Sequence, residues 1–410
     1  MTPLAKTVHQ IVENTPVFDI HTHLFPPAFT DLVSWGIDEL LTYHYLIAEV
    51  FRCGDIDPAR FWSASRPEQA TLIWQKLFLD RSPISEACRG VISSLQIAGI
   101  DPAERDLNRI RKRFTEWTPH AFTDMILEKA KVRRVGMTNL PFDDAERAHW
   151  DKNSTVHPAF TPALRIDPLL LDWENTAPKL ASWGYQVAAD LSGKTLDEIK
   201  RFLADWAKRI KSAYTMVSLP PDWRFPANTI TNRILTEAVL PYCSDNGQAF
   251  AMMIGVRRNV NPALKMAGDS LDTADVISVE NICNAFPKNR FICTMLAREN
   301  QHALCIAARK FANLHIFGCW WFLNNPSLIE EITRMRIELL GLNVTPQHSD
   351  CRVMDQLGYK WAHSRPILAK VLSEKYEDLA RSGWIPSTQD IQRDVNALLG
   401  GSFESFLAGA

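Results

Sequence analysis

From about residue 130 onward, short apolar runs alternate with longer amphipathic segments. Each run is rich in β-branched residues and is followed by polar turn residues, which is typical of a buried strand. One further run lies near the N-terminus. Together the runs predict strands at 16–24, 132–139, 160–167, 213–219, 248–256, 290–296, 314–321 and 343–350.

Between these runs, apolar residues recur at i, i+3 and i+4, the spacing of an amphipathic helix. Two examples are TLDEIKRFLADWAKRI at 195–210 and SLIEEITRMRIELLGL at 327–342. Strands that alternate with helices predict parallel βαβ units, and eight such units close a (β/α)8 barrel. A doubly wound open sheet is the competing fold, but no glycine-rich dinucleotide loop follows any predicted strand. We therefore predict a (β/α)8 (TIM) barrel catalytic domain formed by residues 1–25 and 132–410.

The long segment 26–131 separates the first two predicted strands and has no place in a bare barrel. Stretches such as TDLVSWGIDELLTYHYLIAEVFR and PEQATLIWQKLFLD have a helical pattern. An insertion after strand 1 leaves the barrel at its C-terminal mouth, where active sites of this fold are built. We predict a helical insertion that caps this mouth.

The composition limits the partners. The 410 residues carry a formal net charge of −2, and the most basic stretch, RIRKRF at 109–114, is short, so a nucleic-acid partner is not indicated. The 8 cysteines form no CxxC pair and the N-terminus MTPLAKTVHQIVEN is amphipathic rather than apolar, which predicts reduced thiols in the cytoplasm. No apolar run approaches the ~20 residues of a membrane span.

Two histidines mark the end of the first predicted strand, in DIHTHL. Because residues i and i+2 of a strand share a face, His21 and His23 should direct both imidazoles to one point in the barrel mouth. Asp350, at the end of strand 8 in PQHSDCR, would lie beside strand 1 in a closed barrel; its alternative role is a helix N-cap. His348 either binds or supports a metal. Imidazole and carboxylate groups favour zinc and similar ions, so we predict one divalent metal, with zinc expected, on His21, His23 and Asp350.

Other side chains near the predicted strand ends could contact a substrate. Arg258 and Arg352, after strands 5 and 8, could hold a carboxylate in a bidentate manner or form surface ion pairs. The predicted strand register does not distinguish Arg257 from Arg258 in this role. Trp320 and Trp321 could offer an aromatic wall and an indole N–H, although at least one should pack in the core because neighbours on a strand face opposite ways.

The ordered set of motifs resembles known families. HxH on strand 1 with an Asp on strand 8 resembles the amidohydrolase superfamily, and the whole set resembles the uronate (glucuronate) isomerase family. The similar segments are FDIHTHL, the His44–Tyr45 pair of LLTYHYLIAEVFR, MTNLPFDD, IGVRRNVN with Arg258 and Asn259, GCWWFLN with Trp320 and Trp321, and SDCR. They occur in the family's order across almost the whole chain, which identifies a divergent member.

Several positions depart from the family pattern. Met253 stands where the family has a histidine, and in FTPA the residues Thr161 and Ala163 stand where it has an arginine and an acid. Basic residues after the His-Tyr pair are replaced by the apolar run 46–48, and VSLPPDW replaces an Ala-Ser-Asp-His segment. Loss of a charged pair from the mouth predicts poor activity on D-glucuronate and D-galacturonate, unless another arginine substitutes.

The resemblance implies an isomerase that interconverts a hexuronate aldose and its ketose. It assigns catalytic roles to Asp350, Arg352, Tyr45 and His44, with the metal as Lewis acid. Asp350 or its metal-bound water is the preferred base, followed by Tyr45 and His44. Arg258, Asn259, Trp320, Trp321 and Arg352 are the implied substrate-binding residues.

Two other functions remain open at this level. One is a hydrolase of a carboxylated lactone, ester or amide, and the other is a metal-free protein that binds a sugar acid. The expected partner is a small-molecule sugar acid rather than nucleic acid or membrane, and the sequence leaves a homo-oligomer open.

Overall fold

The centre of the protein is a parallel sheet of seven strands. The structure is a computed structural model and describes residues 1–54, 56–152 and 155–409. The strands are β1 (Val17–Thr22), β2 (Val132–Asn139), β3 (Phe160–Arg165), β4 (Tyr214–Leu219), β5 (Ala249–Ile254), β6 (Val256–Arg257), β7 (Ser270–Leu271), β8 (Arg290–Met295) and β9 (Leu314–Ile316). β6 and β7 form a separate antiparallel hairpin, and the other seven follow one another in sequence order, as in a barrel.

The extended segment 343–350 closes the barrel where an eighth regular strand is predicted. In the described part of the chain, its ladder pairing with the β9 side is the single bridge between Phe317 and Thr345. On the other side, the Asp350 N–H donates to the His21 carbonyl at 3.2 Å. The backbone of Asp350 has φ +53°, outside the extended region, so the extended conformation of this segment ends at Asp350. The predicted (β/α)8 fold is confirmed, with an irregular last strand.

Helices fill the segment between β1 and β2. They are α2 (Ile37–Leu41), α3 (His44–Phe51), α4 (Pro58–Ser63), α5 (Arg66–Trp74), α6 (Glu86–Ile97), α7 (Leu107–Phe114) and α8 (Pro119–Lys129), while α1 (Pro3–Asn14) precedes β1. The Trp62 indole N–H of α4 donates to the Ala263 carbonyl, in the connection between β6 and β7, at 2.8 Å. This contact places α4 against the β6–β7 hairpin that follows β5.

The remaining helices surround the sheet. They are α9 (Asp144–Asp151), α10 (Asp167–Leu171), α11 (Trp173–Ser182), α12 (Thr195–Ile210), α13 (Ile230–Ile234), α14 (Leu240–Asp245), α15 (Val276–Ala285), α16 (Gln301–Lys310), α17 (Pro326–Leu340), α18 (Met354–Arg381), α19 (Thr388–Asn396) and α20 (Ser402–Ala408). α12 has the predicted bounds, and α17 ends at Gly341, whose φ of +62° suits a glycine after a helix. Among the described residues, no helix is both long and apolar enough to cross a membrane.

The interior of the barrel is apolar at the end opposite the mouth. Phe403 of α20 is fully buried there, and its ring lies 5.7 Å from that of Phe18 and 5.9 Å from that of Tyr214. Ile20, Met216 and other inward-facing residues extend the same cluster. This packing leaves the C-terminal mouth for polar side chains.

A bulge in β1 decides how this strand enters the mouth. Asp19 pairs with Val135 and Thr22 with Met137, so β1 has one more residue than β2 over this stretch. A bulge re-aims the side chains that follow it. Across from it stands Gly136, where a Cβ would lie 2.3 Å from the Ile20 carbonyl oxygen, inside contact distance. The bulged backbone therefore requires a glycine at this position.

Gly136→Ala should lower the free energy of unfolding by about 1–3 kcal/mol, the usual range for overpacking a rigid site. The added methyl group would clash with the backbone of Ile20, which cannot move aside as a flexible side chain can. Urea unfolding followed by circular dichroism measures the change. Gly358→Ala is the matched control, because its Cβ would meet only the Ile97 side chain, at 3.0 Å. Equal stability of Gly136→Ala and wild type would contradict this role.

Candidate active site

Three side chains converge at the mouth of the barrel. Nε2 of His21 and Nε2 of His23 each lie 3.3 Å from the same carboxylate oxygen, Oδ1 of Asp350. One ligand atom from each of the three residues lies within 4.8 Å of the others. Ligands about 2.0–2.2 Å from a tetrahedral zinc ion are separated by roughly 3.3 Å, so the spacing suits a divalent metal.

The convergent atoms are short of hydrogen-bond partners. His21 Nε2 and Asp350 Oδ1 are buried and make no well-oriented hydrogen bond among the described residues. Burial alone would raise the pKa of Asp350, but its interactions with His21 and His23 outweigh this and hold the pKa well below its usual value. Burial and the charge of Arg352 lower the pKa of His23, so this imidazole is neutral. An ionised carboxylate beside imidazole nitrogens is the donor set that a divalent cation requires.

Neighbouring groups orient these side chains. The Thr138 hydroxyl lies 3.0 Å from His23 Nδ1, so Nε2 faces Asp350. Asp19 is buried on the outer side of β1, where it accepts hydrogen bonds from the Ser349 backbone N–H at 3.1 Å and the Trp361 indole N–H at 2.8 Å. Asp19 thereby ties β1 to the segment that carries Asp350.

His348 lies beside the three convergent residues rather than among them. Its ring is 5.4 Å from that of His21, and the group of convergent atoms does not include it. It is fully buried, and burial together with His21 lowers its pKa to about 3. A Cβ at Gly318 would lie 1.6 Å from His348 Nδ1, and the Gly318 carbonyl accepts a hydrogen bond from buried Arg336 at 2.6 Å. The geometry therefore favours a supporting position.

A narrow cavity opens from the three convergent residues. Its lining contains the sequence-predicted residues His21, His23, His44, Arg258, Trp320, Trp321, Asp350 and Arg352, together with Arg165, Ser218 and Met253. A larger cavity, of about 800 Å³, lies at the other end of the barrel between α16, α17, α19 and α20, so size alone does not locate the site. The space enclosed at the centre of the narrow cavity is about 20 Å³, enough for about one water molecule or ion.

The insertion contributes His44 to this cavity. Its ring lies 5.2 Å from that of Trp321, and neither ring nitrogen of His44 nor Nε1 of Trp321 has a hydrogen-bond partner among the described residues. Burial and the charge of Arg352 lower the pKa of His44 to about 3. These three N atoms are free to contact a bound molecule.

Two predicted residues lie at the edge of the site. Among the described residues, neither Tyr45 nor Asn259 lines the cavity. The Tyr45 ring packs 4.5 Å from that of His44 and 5.3 Å from the Lys360 Nζ. Asn259 is exposed with φ +57°, and its backbone N–H donates to Asp269 at 2.8 Å. Asn259 therefore shapes the loop that presents Arg258.

Solved structures and a curated sequence match this chain. A uronate isomerase from Bacillus halodurans C-125 is 49% identical, with a TM-score of 0.97, over 99% of this chain and 96% of that one. The chain belongs to the uronate isomerase family. A uronate isomerase from Thermotoga maritima shares the fold, with a TM-score of 0.80 at 16% identity over 99% of this chain and 98% of that one. No family model matches.

The curated match is partial. A uronate isomerase from Streptococcus equi subsp. zooepidemicus (strain MGCS10565) is 26% identical over 221 residues, or 50% of this chain. The matched region spans about half the length of that relative, 45%. The resemblance in the motifs is nevertheless confirmed by the full-length structural match.

The position of β3 corrects one prediction that was drawn from the family resemblance. Thr161 lies at the start of β3, where its hydroxyl accepts a hydrogen bond from Arg134 at 2.9 Å, and Ala163 is buried in the barrel interior. Neither residue is at the mouth, so the predicted loss of a charged pair there is wrong. The last residue of β3, Arg165, lines the cavity instead. The signal in the sequence that could have identified Arg165 was its place near the end of a predicted strand.

Asp167 and Ser218 hold Arg165. The Arg165 guanidinium donates to Asp167, whose other oxygen accepts from the Ser218 backbone N–H at 2.6 Å. Arg165 Nη2 also lies 3.5 Å from the Ser218 hydroxyl. β3 and the end of β4 thus present a fixed cation to the mouth.

His21→Ala and Asp350→Asn should each lose a divalent metal that the wild type binds at one equivalent per chain, because each removes a convergent ligand atom. Elemental analysis after equilibration with zinc measures the content. His302→Ala, at an exposed histidine of α16, is the control and should retain the metal. Unchanged metal content in both site variants would move the site elsewhere.

Proposed function

We propose that this protein is a metal-dependent isomerase that interconverts the aldose and ketose forms of a hexuronate or a related sugar acid. The observation that supports this most directly is one cavity that combines the three convergent ligand residues with three arginines, Arg165, Arg258 and Arg352. A carboxylated sugar needs both a cation for its carboxylate and a polarising group for its carbonyl. The 49% identical relative is itself described as a uronate isomerase.

His21, His23 and Asp350 would hold the metal, and zinc fits this ligand set. When bound, the ion supplies Lewis acidity to a substrate oxygen, which makes the adjacent C–H more acidic. The protein then has to bind the substrate in one orientation and to carry a proton from one carbon to its neighbour.

We assign the proton transfer to Asp350 as the first candidate. Isomerisation of an aldose takes a proton from C2 and delivers one to C1, while the hydroxyl proton at C2 moves to the oxygen at C1. Asp350 is ionised and borders the cavity, so its second oxygen can accept the C2 proton and return it to C1. His44 is neutral and unpartnered and is placed to relay the hydroxyl proton, while Tyr45 packs behind it.

The arginines divide the negative charge of the substrate between them. Arg352 is nearest the metal site, with Nη2 3.4 Å from His23 Nε2, and is placed for the enediolate charge that develops during the reaction. Arg165 and Arg258 are placed for the carboxylate. Arg165 is held by Asp167, and Arg258 is paired with Asp269 at 2.5 Å and more than half exposed. Arg165 thus takes the place of the mouth arginine that the motif comparison assigned to Thr161.

Two side chains at the mouth are placed to adjust when a sugar acid enters. Trp321 is half-buried and Arg258 lies on an exposed loop, so these two side chains can move without disturbing the barrel. Trp320 is 5% exposed and forms a fixed wall.

We also propose a cytoplasmic location. In the structure all eight cysteines are free, in agreement with reduced thiols. We also propose that the protein forms a homo-oligomer, and we assign no surface to its interface.

The zinc-loaded protein should convert D-glucuronate or D-galacturonate to its ketose with a kcat/KM in the usual enzyme range of about 10⁴–10⁸ M⁻¹s⁻¹. Arg165 restores the cation that the sequence had placed in doubt, which is why ordinary hexuronates are expected to bind. Ketose formation is measured by a coupled reduction assay. Absence of isomerisation, with hydrolysis of the corresponding lactones instead, would contradict the proposal.

Arg165→Met should raise KM by about 10- to 100-fold with a smaller effect on kcat, because a charge-assisted hydrogen bond to a carboxylate contributes roughly 1.5–3 kcal/mol. Arg352→Met should reduce kcat as well, since its charge acts on the developing enediolate. Arg257→Met is the control. Arg257 neighbours Arg258 but pairs with Asp272 at 3.7 Å and lies outside the cavity lining, so its kinetics should match wild type. A raised KM in Arg257→Met, with an unchanged KM in Arg165→Met, would contradict the assignment of Arg165 to the carboxylate.

A further inference from the structure

A second group of catalytic-type residues lies between α6 and α18, outside the cavity lining. The Ser93 hydroxyl oxygen lies 2.8 Å from His363 Nε2, and His363 Nδ1 lies 2.6 Å from Glu86 Oε1. Serine, histidine and carboxylate thus form a chain through the two nitrogens of one imidazole. This is the order of contacts in which a histidine activates a serine hydroxyl.

The sequence of α6 brings two of these residues to one face. Glu86 and Ser93 are seven residues apart, two helical turns, so they project from the same side of the helix. Arg89 lies between them and donates to the Glu86 carboxylate at 2.9 Å. His363 faces them from α18.

A close contact between the two helices fixes the distance. A Cβ at Gly90 would lie 2.7 Å from the Tyr359 ring, so the absence of a side chain there allows α18 to approach. Tyr359 precedes His363 by one turn, and their rings lie 5.4 Å apart. The Ser93–His363 contact is therefore set by backbone packing rather than by flexible surface side chains.

The hydrogen bonds select the reactive tautomer of His363. Burial of Glu86 opposes ionisation, but hydrogen bonds from His363 and Arg89 outweigh it and lower the pKa of Glu86. The ionised carboxylate accepts the proton on Nδ1, so in the tautomer that this bond selects the imidazole lone pair lies on Nε2, toward the Ser93 hydroxyl. Ser93 is half-buried.

We propose that Ser93 is an activated nucleophile that accepts acyl groups from activated esters and thioesters. Its oxygen forms a bond to the acyl carbonyl carbon, and the bond between that carbon and the leaving group breaks. The hydroxyl proton passes to His363 Nε2 and then to the departing oxygen or sulfur, so no oxidant, reductant or metal is needed. The product is O-acyl-Ser93 and a free alcohol or thiol.

The helix limits the donors that can react. Ser93 lies within α6, where backbone N–H groups bond to carbonyls four residues earlier and do not form an oxyanion hole. The tetrahedral intermediate therefore lacks the stabilisation of a serine hydrolase. Donors with good leaving groups are the class that this site accepts, and the acyl group should remain on the serine.

The test treats the full-length protein with p-nitrophenyl acetate and, separately, with a fluorophosphonate ester that labels activated serines. Intact mass and peptide mapping should show one adduct per chain on Ser93. Labelling should be absent in Ser93→Ala and slower by about 100-fold in His363→Gln and Glu86→Gln, as loss of general-base assistance predicts. Ser94→Ala is the control, because Ser94 bonds to the Asp355 carbonyl instead and should leave labelling unchanged.

Thermal unfolding of every variant separates this role from a purely structural contact between the helices. A Ser93 adduct that forms at the same rate in His363→Gln and wild type, with both proteins folded, would overturn the proposal. So would the absence of a Ser93 adduct in the wild type, whatever the stability of the variants. Isomerase assays of the same variants test the proposed function separately, since none of the three residues lines the cavity that contains His21, His23 and Asp350.

Discussion

The site depends on one buried carboxylate that faces two imidazoles. Asp350 is ionised and 8% exposed, and its Oδ1 lies 3.3 Å from both His21 and His23 without a satisfactory hydrogen bond. Its interactions with His21 and His23 outweigh the cost of burying this charge, because they hold the pKa of Asp350 well below its usual value. A divalent ion held by the same three side chains would bind the folded protein and not the unfolded chain, which couples metal binding to stability.

Much of the surrounding structure serves this arrangement. The β1 bulge directs the histidines, Gly136 makes room for the bulge, and the positive φ of Asp350 turns its carboxylate back toward them. Strain of this kind persists only where the neighbouring structure fixes it. Here Asp19 fixes it, because its hydrogen bonds from Ser349 and Trp361 connect β1, the closing segment and α18.

The sequence predicted the alternation of strands and helices, which follows from local spacing. It also named His21, His23 and Asp350, which the structure brings together. It did not predict the bulge, since a register shift depends on the close approach of Ile20 to Gly136 in a neighbouring strand. The motif comparison aligned the family's arginine with Thr161 rather than with Arg165, because such a comparison does not tell which end of a strand a residue occupies. The contact between Ser93 and His363 joins residues far apart in sequence, which no local pattern shows.

His21, His23 and Asp350 meet at one point in the barrel mouth, and a metal ion at that point can be located by crystallography. A crystal of the zinc-loaded protein is measured with X-rays at the zinc absorption edge. We expect one anomalous peak per chain, about 2.0–2.2 Å from Nε2 of each histidine and from an oxygen of Asp350. A peak bound by other residues, or a fully loaded protein with no peak at this point, would contradict this expectation.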